Sequence, residues 1–448
     1  VLKTREDASA LHEARWWEPE HGASVPRAGG LGQGGAASQG VASHGGVGQG
    51  EVASQGVASH GGMGQGEVAS QGTASQVGGA AQRGDVSHVG GGATKRVHCY
   101  LCPRHCHIGD GQAGFCFIRE NRGGKLYSLG YAHPAALQID PIEKKPLNHF
   151  LPGTRVFSMG TAGCNMGCFF CQNWDISKSR SDQVRSSYVP PEDVAQLAIR
   201  NGCPSIAFTY NEPTIWGEYV VDICQAAKEY GLKTVMVSNG YITREAFHDI
   251  YDHIDAANID LKAFTENFYG RVTLTHLQPV LETLQWLKNE TNVWFEITNL
   301  IIPTLNDATS ETRQLAEWVL EHLGPDVPLH FTAFHPDFKL RDKPPTPPQT
   351  IHAARAIALE VGLHYVYEGN IHNDGHSDDA HTLCPSCNAM LIRRSWHSVL
   401  ENRLKDGCCP SCGLAIPGRW TNREGELSRR PFHNATSAAA NRHSELNL

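Results

Sequence analysis

Three cysteines within eight positions, Cys164, Cys168 and Cys171 in "GTAGCNMGCFFCQNWDIS" (160–177), constrain this chain more than any other feature. They follow a short β-rich run and are interleaved with glycines. A structural zinc knuckle or a closed metal–sulfur site recruits four thiolates, and no fourth cysteine lies in the thirty residues that follow. Three ligands with a position left open is the pattern of a reactive metal centre rather than a structural one.

The surrounding chain states where such a loop would sit. From 153 to 370, β-rich runs alternate with amphipathic ones: "RVFSMGTA", "SIAFTYNE", "KTVMVSNG", "AANIDLKA", "VWFEITNLII" and "PLHFTAFH" are each separated by a helical pattern. "PPEDVAQLAIRNG" opens on prolines and closes on Gly202; Thr243 is placed to cap "REAFHDIYDHI"; "PPQTIHAARAIALEVG" ends on Gly362. Strands alternating with helices imply a parallel sheet with right-handed crossovers. Six βα units predict an α/β fold, a partial (β/α)6 TIM-like barrel.

Sites in such barrels gather at the carboxyl ends of the strands. Those ends carry the three cysteines, Asn211 and Glu212, Ser238 and Asn239, Asp260 and Lys262, Thr298 and Asn299, and His335, with His330 nearby as a further candidate proton relay.

C-x3-C-x2-C at the end of the first strand, with Phe170 before the third cysteine, resembles the cluster loop of the radical S-adenosylmethionine (SAM) superfamily. The resemblance implies that Cys164, Cys168 and Cys171 hold three irons of a [4Fe–4S] cluster. The fourth iron is left for the amino and carboxylate groups of SAM, which is cleaved reductively to a 5′-deoxyadenosyl radical. Gly163 and Gly167 would let backbone amides approach the cluster, and Phe170 would pack near the adenine. "TYNEP" (209–213) stands where relatives have a Gly-Gly-Glu-Pro stretch, which implies Asn211 and Glu212 as contacts for the cofactor's amino group. "DLK", Asp260 to Lys262, matches a pattern of glycyl-radical activating enzymes, and Asn239 resembles a ribose contact.

The flanks narrow the resemblance. "HCYLCPRHCHIGDGQAGFCFIRENRGG", "DPIEKKPLNHFLPG" and "YVYEGN" are similar to the radical enzyme of the AmmeMemoRadiSam system. That implies Memo-like and AMMECR1-like proteins as partners, besides a one-electron reductant.

Fourteen cysteines, twelve of them in three groups, point to metal before disulfides in a chain of this kind. Cys99, Cys102, Cys106 and Cys116, with His98, His105 and His107 among them, form a metal-binding flap for zinc or a second iron–sulfur cluster. "CPSC" at 384–387 returns at 409–412, so Cys384, Cys387, Cys409 and Cys412 read as a structural zinc ribbon, with Cys408 a bystander. Cys203 and Cys224 read as buried apolar residues.

The expected organisation is a low-complexity disordered arm over 1–95, the flap over 96–152, the barrel over 153–370, the ribbon over 371–425 and a disordered tail over 426–448. Within the arm, "VASHGGVGQGEVASQG" (41–56) recurs over 57–72 with one change. It lacks the large apolar residues with which solenoid units bury a shared face. Between 384 and 430 eight Lys or Arg face four Asp or Glu, a weak pointer to nucleic acid on a chain of net charge −8. No apolar run reaches the roughly 18 residues of a membrane span, so a cytoplasmic protein is expected, or an organellar one if a targeting segment precedes Val1. The alternatives are a glycyl-radical enzyme activase and a non-catalytic, metal-stapled interaction protein with a degenerate barrel.

Overall fold

A computed structural model of the chain describes residues 11–20, 95–371 and 380–421. The sixteen-residue repeat and the tail expected over 426–448 lie outside the described residues. Among the described residues no helix is long and apolar enough to cross a membrane.

The first departure from expectation comes in the arm. Residues 11–20 are not structureless: they supply β1 (His12–Glu13) and β2 (Trp17–Pro19), the outer strands of two small flap sheets. β1 pairs with β6 (Lys125–Ser128), which pairs with β5 (Arg119–Arg122). β2 pairs with β3 (Val97–Cys99), which pairs with β4 (Cys106–Ile108). The anchor is Trp16, buried against the barrel with its indole N–H on Asp249 at 2.9 Å. Beside it, the Arg15 amide donates to Glu218 at 2.7 Å. Composition averaged over a glycine-rich arm conceals an aromatic pair that supplies ordinary apolar burial.

The central sheet has eight strands in the order β14-β13-β12-β11-β10-β9-β8-β7. β8 (Arg155–Gly160), β9 (Ser205–Phe208), β10 (Lys233–Ser238), β11 (Ala256–Asp260), β12 (Trp294–Ile301) and β13 (Leu329–Ala333) are the six expected strands, all parallel. Their crossovers are α2 (Pro191–Arg200), which follows the short α1 (Trp174–Ser177), then α3 (Gly217–Glu229) and α4 (Arg244–Tyr251). They continue with α6 (Gln278–Glu290), preceded by the one-turn α5 (Glu266–Phe268), α7 (Thr309–Leu323) and α8 (Pro348–Val361). Six units understate the sheet at both edges. "YVYEGN" supplies β14 (Val366–Gly369), parallel to β13. β7 (Ala136–Pro141) runs antiparallel to β8. β7 and β14 end the sheet unpaired with each other.

The carboxyl-terminal cysteines belong to a three-stranded antiparallel unit of β15 (Thr382–Leu383), β16 (Met390–Ser395) and β17 (Ser398–Asn402). It docks on the β14 edge, where Tyr365 and Tyr367 join Cys384, Leu391, Ile392, Cys409 and Ile416 in one apolar cluster. His149, from the segment between β7 and β8, ties the two together. One ring nitrogen meets the Tyr367 hydroxyl at 2.6 Å and the other the Pro417 carbonyl at 2.7 Å.

Burial pushes the His149 imidazole down to about 4. A histidine neutral in the folded state but titrating near 6.5 when unfolded stabilises the fold above 6.5, and its contribution is lost as pH falls toward 4. The stability advantage of wild type over His149→Gln is therefore expected to shrink by up to about 3 kcal/mol between pH 7 and pH 4 in denaturant titrations. Glu143, which burial pushes up to about 7, acts in the opposite sense. Its contribution is full below about 4.5 and is lost as pH rises through 7. It is common to both proteins and cancels in the difference. An advantage independent of pH would refute the buried neutral imidazole.

Candidate active site

A cavity of about 800 Å³ opens at the carboxyl ends of the strands. Cys164, Cys168 and Cys171 line it, together with Phe170, Asn211, Asn239, Asp260 and Lys262. Eight of the nine residues expected to form this site thus share one space, contributed by β8, β9, β10 and β11 and the loops after them.

The cysteine loop is held by its backbone. The Gly163 amide donates to Ile176 at 2.9 Å, the Gly167 amide to Thr273 at 2.8 Å and the Phe169 amide to Val272 at 3.0 Å. The Asn211 side-chain amide donates to the carbonyls of Thr161 and Gly163 at 2.8 and 2.6 Å, fastening the loop to the end of β9. The glycines serve a different purpose from the one expected. Gly167 has its amide committed to Thr273, and Gly163, at φ +79°, faces the flap: a side chain there would put its Cβ 1.9 Å from the Cys116 carbonyl oxygen. Gly163→Ala combines overpacking with left-handed backbone strain, and a loss of about 3 kcal/mol is expected in denaturant midpoints. An alanine variant as stable as wild type would mean that the flap does not press on this loop.

The thiols sit among cations. Burial pushes the Cys164 thiol up, opposed chiefly by the Lys178 ammonium, and Cys164 Sγ accepts from the Met166 amide at 3.4 Å. Burial likewise raises Cys168, opposed chiefly by Lys262. Cys171 Sγ lies 3.0 Å from the Ser177 hydroxyl. Buried thiols become ligands only by losing their protons, and neighbouring ammonium groups with N–H···S bonds favour that loss. Lys178 was not anticipated: it follows the cysteines by seven residues, and only the turn of α1 brings its Nζ back to the Met166 carbonyl, at 2.7 Å.

Asp260 and Lys262 form an ion pair of 2.9 Å inside the cavity. Burial works against the lysine's charge, but Asp260 and Cys168 hold it protonated above the usual lysine value. Its Nζ also lies 5.6 Å from the Phe170 ring centre. The Asn239 side-chain amide donates to Asn165 Oδ1 at 2.9 Å and lies 3.9 Å from Cys164 Sγ.

Glu212 is the exception. It does not line the cavity; it is fully buried and accepts from the Thr214 amide, the Ser238 hydroxyl and the Asn239 amide at 2.8–2.9 Å. Burial pushes its carboxyl up against those bonds. It braces the ends of β9 and β10 from behind. Two residues earlier, Tyr210 adopts φ +73°, a conformation comfortable for the glycine of the related stretch and costing a tyrosine about 1–2 kcal/mol. Its hydroxyl donates to Asp140 at 2.8 Å.

His330 lines the cavity with Nε2 2.7 Å from Glu296, whereas His335 is exposed and outside it. The far wall was not legible at all: Glu143, Lys145, Arg394, Trp396 and His397 come from the segment after β7 and from the carboxyl-terminal unit. The buried Arg394 donates to the Thr382 hydroxyl at 2.8 Å and the Asn148 carbonyl at 2.7 Å, fixing that wall.

The two outer cysteine groups differ in form. In the carboxyl-terminal unit all four ligand atoms lie within 4.8 Å of one another, with Cys384–Cys412 and Cys387–Cys409 at 3.6 Å, which suits one tetrahedral ion. Among the described residues no other cysteine group is gathered so closely. The triplet lines its cavity with three thiols, and among the described residues no fourth cysteine does. Cys203 and Cys224 are buried away from all three groups, and Cys408 stands outside the ribbon quartet.

The family profile described as the radical SAM superfamily matches residues 159–317. The chain is 46% identical over 323 residues to an uncharacterised protein of Methanocaldococcus jannaschii, covering 72% of this chain and 95% of that one. It is 24% identical over 194 residues to a pyruvate formate-lyase-activating enzyme of Clostridium pasteurianum, covering 40% of this chain and 80% of the relative. To the pyruvate formate-lyase 1-activating enzyme of Escherichia coli K12 it is 22% identical over 227 residues, covering 47% and 91%.

Proposed function

Because this chain belongs to the radical SAM superfamily, we propose that Cys164, Cys168 and Cys171 hold its [4Fe–4S] cluster and that the cavity beside them seats SAM and substrate. The observation that carries this reading is the convergence of three thiols, and no fourth, on a cavity shared with the Asp260–Lys262 pair. When bound, the cluster supplies one electron for the reductive cleavage of SAM to methionine and a 5′-deoxyadenosyl radical, which takes a hydrogen atom from the substrate.

The polypeptide binds, orients and shields. Lys178 and Lys262 balance thiolate charge. The Asp260–Lys262 pair offers a carboxylate and an ammonium to the oppositely charged ends of an amino acid. Phe170 presents a flat apolar surface for a nucleobase, and Asn239 an amide at its edge. Asn211 holds the loop through its backbone, and Glu212 is a positioning residue acting through Asn239. Zinc fills the tetrahedral site of Cys384, Cys387, Cys409 and Cys412, and the ribbon it stabilises walls the substrate side with Arg394, Trp396 and His397.

A one-electron reductant is required, and a reducing compartment such as the cytoplasm suits the exposed thiols of the ribbon. The flanking motifs support Memo-like and AMMECR1-like proteins as partners. The relatives that activate pyruvate formate-lyase favour a glycyl-radical activase as the second reading. Anaerobic reconstitution with iron and sulfide, followed by EPR of the reduced protein with and without SAM, tests the main one. A cluster signal altered by SAM is expected, and a signal indifferent to SAM counts against the site. A stable radical on a glycine of a partner protein would select the second reading.

A further inference from the structure

Nine large apolar side chains are exposed among the described residues, and three of them, Phe115, Trp174 and Leu274, border the triplet loop. None of the three lines the cavity. Leu274 packs on Gly167, where an added Cβ would meet its side chain at 2.7 Å, and its carbonyl accepts from the Arg104 guanidinium at 2.7 Å. Arg104 in turn lies over the Phe115 ring, 3.4 Å from its centre. On the other flank the Phe169 carbonyl accepts from the Lys339 amide at 2.9 Å. Trp174 stacks on Phe338, next to Lys339, with ring centres 5.7 Å apart. Contacts thus run from Phe115 across Gly167 and Phe169 to Trp174.

The charge of this face is opposite to that of the chain. In residues 104, 271–276 and 337–343 five Lys or Arg stand against two Asp, on a chain of net charge −8. Arg271, Lys339 and Arg341 are exposed. One of the two acids, Asp337, accepts from the neighbouring Phe338 amide at 2.6 Å. Apolar residues within a polar, charged rim are the anatomy of a protein contact, and electron-transfer partners meet through contacts at the small end of the range.

Position supplies the rest. Cys168 stands between Gly167 and Phe169 and lines the cavity. The amides of those two neighbours are bonded to Thr273 and Val272, beside the exposed Leu274 and Arg271. A carrier seated on this face is therefore parted from the triplet by the loop itself, and it leaves the cavity to SAM and substrate.

We propose that this face receives the one-electron donor, and that the donor is a small redox protein with an acidic surface. The proposal rests on the triplet holding the cluster of the proposed function. The donor's reduced centre gives up one electron and is oxidised, the cluster is reduced by that electron, and no bond forms or breaks in the transfer.

The experiment compares the reconstituted full chain with its variant Arg271→Glu/Lys339→Glu/Arg341→Glu, which changes three exposed side chains outside the cavity. Two reductants drive 5′-deoxyadenosine formation: a photoreduced low-potential ferredoxin of strongly negative net charge, and the methyl viologen radical cation, which is too small to need a docking face. With ferredoxin at low salt the variant is expected to be at least about tenfold slower than wild type, and with viologen equal to it. The wild-type rate with ferredoxin is also expected to fall at least about tenfold as ionic strength rises from about 0.01 to about 0.15 M, where screening shortens from about 30 to about 8 Å. A ferredoxin-driven rate indifferent to charge reversal and to salt would overturn the proposal. If the variant lost both rates alike, the salt dependence of wild type would decide.

Binding gives a readout independent of turnover. Calorimetric titration of oxidised ferredoxin into each reconstituted protein is expected to show affinity at least about tenfold weaker for the variant, and equal affinities would remove the docking face. Wild type that binds ferredoxin through these residues yet forms no product with viologen would leave the face standing and count against the radical site.

Discussion

Replacing Cys168 by alanine is expected to lower 5′-deoxyadenosine formation by at least about a thousandfold, to the level of protein without iron. Cys168 lines the same cavity as Phe170 and Lys262, and the triplet has no spare ligand: the next cysteine in sequence, Cys203, is fully buried and outside the cavity. With two thiols the cluster has too few anchors. The packing cost is small, because only one sulfur is removed, so the variant protein without metal should melt close to wild type. Undiminished product from this variant would exclude the cluster from the triplet.

The largest effect on stability is expected at Arg119. Its guanidinium, 2% exposed, meets the fully buried Glu218 carboxylate at 2.9 and 3.1 Å. It also donates to the Arg15 carbonyl. One contact therefore joins β5 of the flap, α3 of the barrel and the amino-terminal segment. Arg119→Leu leaves a carboxylate buried without its cation, and a loss of about 3–5 kcal/mol is expected in denaturant unfolding. The double variant Arg119→Leu/Glu218→Leu should recover much of it, since an apolar pair of similar volume costs little where a broken ion pair costs much. A single variant within about 1 kcal/mol of wild type would show that the flap does not depend on this pair.

What could be read from the residues was what is local. Metal-ligand spacing is a short-range property, so all three cysteine groups were visible in the sequence, and so were the six strands, several of whose crossover helices open on prolines or close on glycines. Features made by distant partners were hidden. Glu212 looks like a ligand because a strand end is where ligands sit, yet its carboxylate is used up by Thr214, Ser238 and Asn239. Thr243, placed to cap α4, instead gives its hydroxyl to the Tyr100 carbonyl at 2.6 Å and clamps the flap. Trp16, Lys178 and the wall formed by Arg394 and Trp396 owe their roles to contacts across hundreds of residues or to one turn of helix, and periodicity says nothing about either. The strands β7 and β14 escaped for the same reason: an edge strand is defined by its neighbour more than by its own pattern.

The most direct measurement is the yield of 5′-deoxyadenosine from SAM with the anaerobically reconstituted, dithionite-reduced full chain. Product that requires reductant, iron and all of Cys164, Cys168 and Cys171 is the expected result. A protein that carries its full complement of iron and sulfide, binds SAM and yields none would contradict the assignment of this cavity as a radical-generating site.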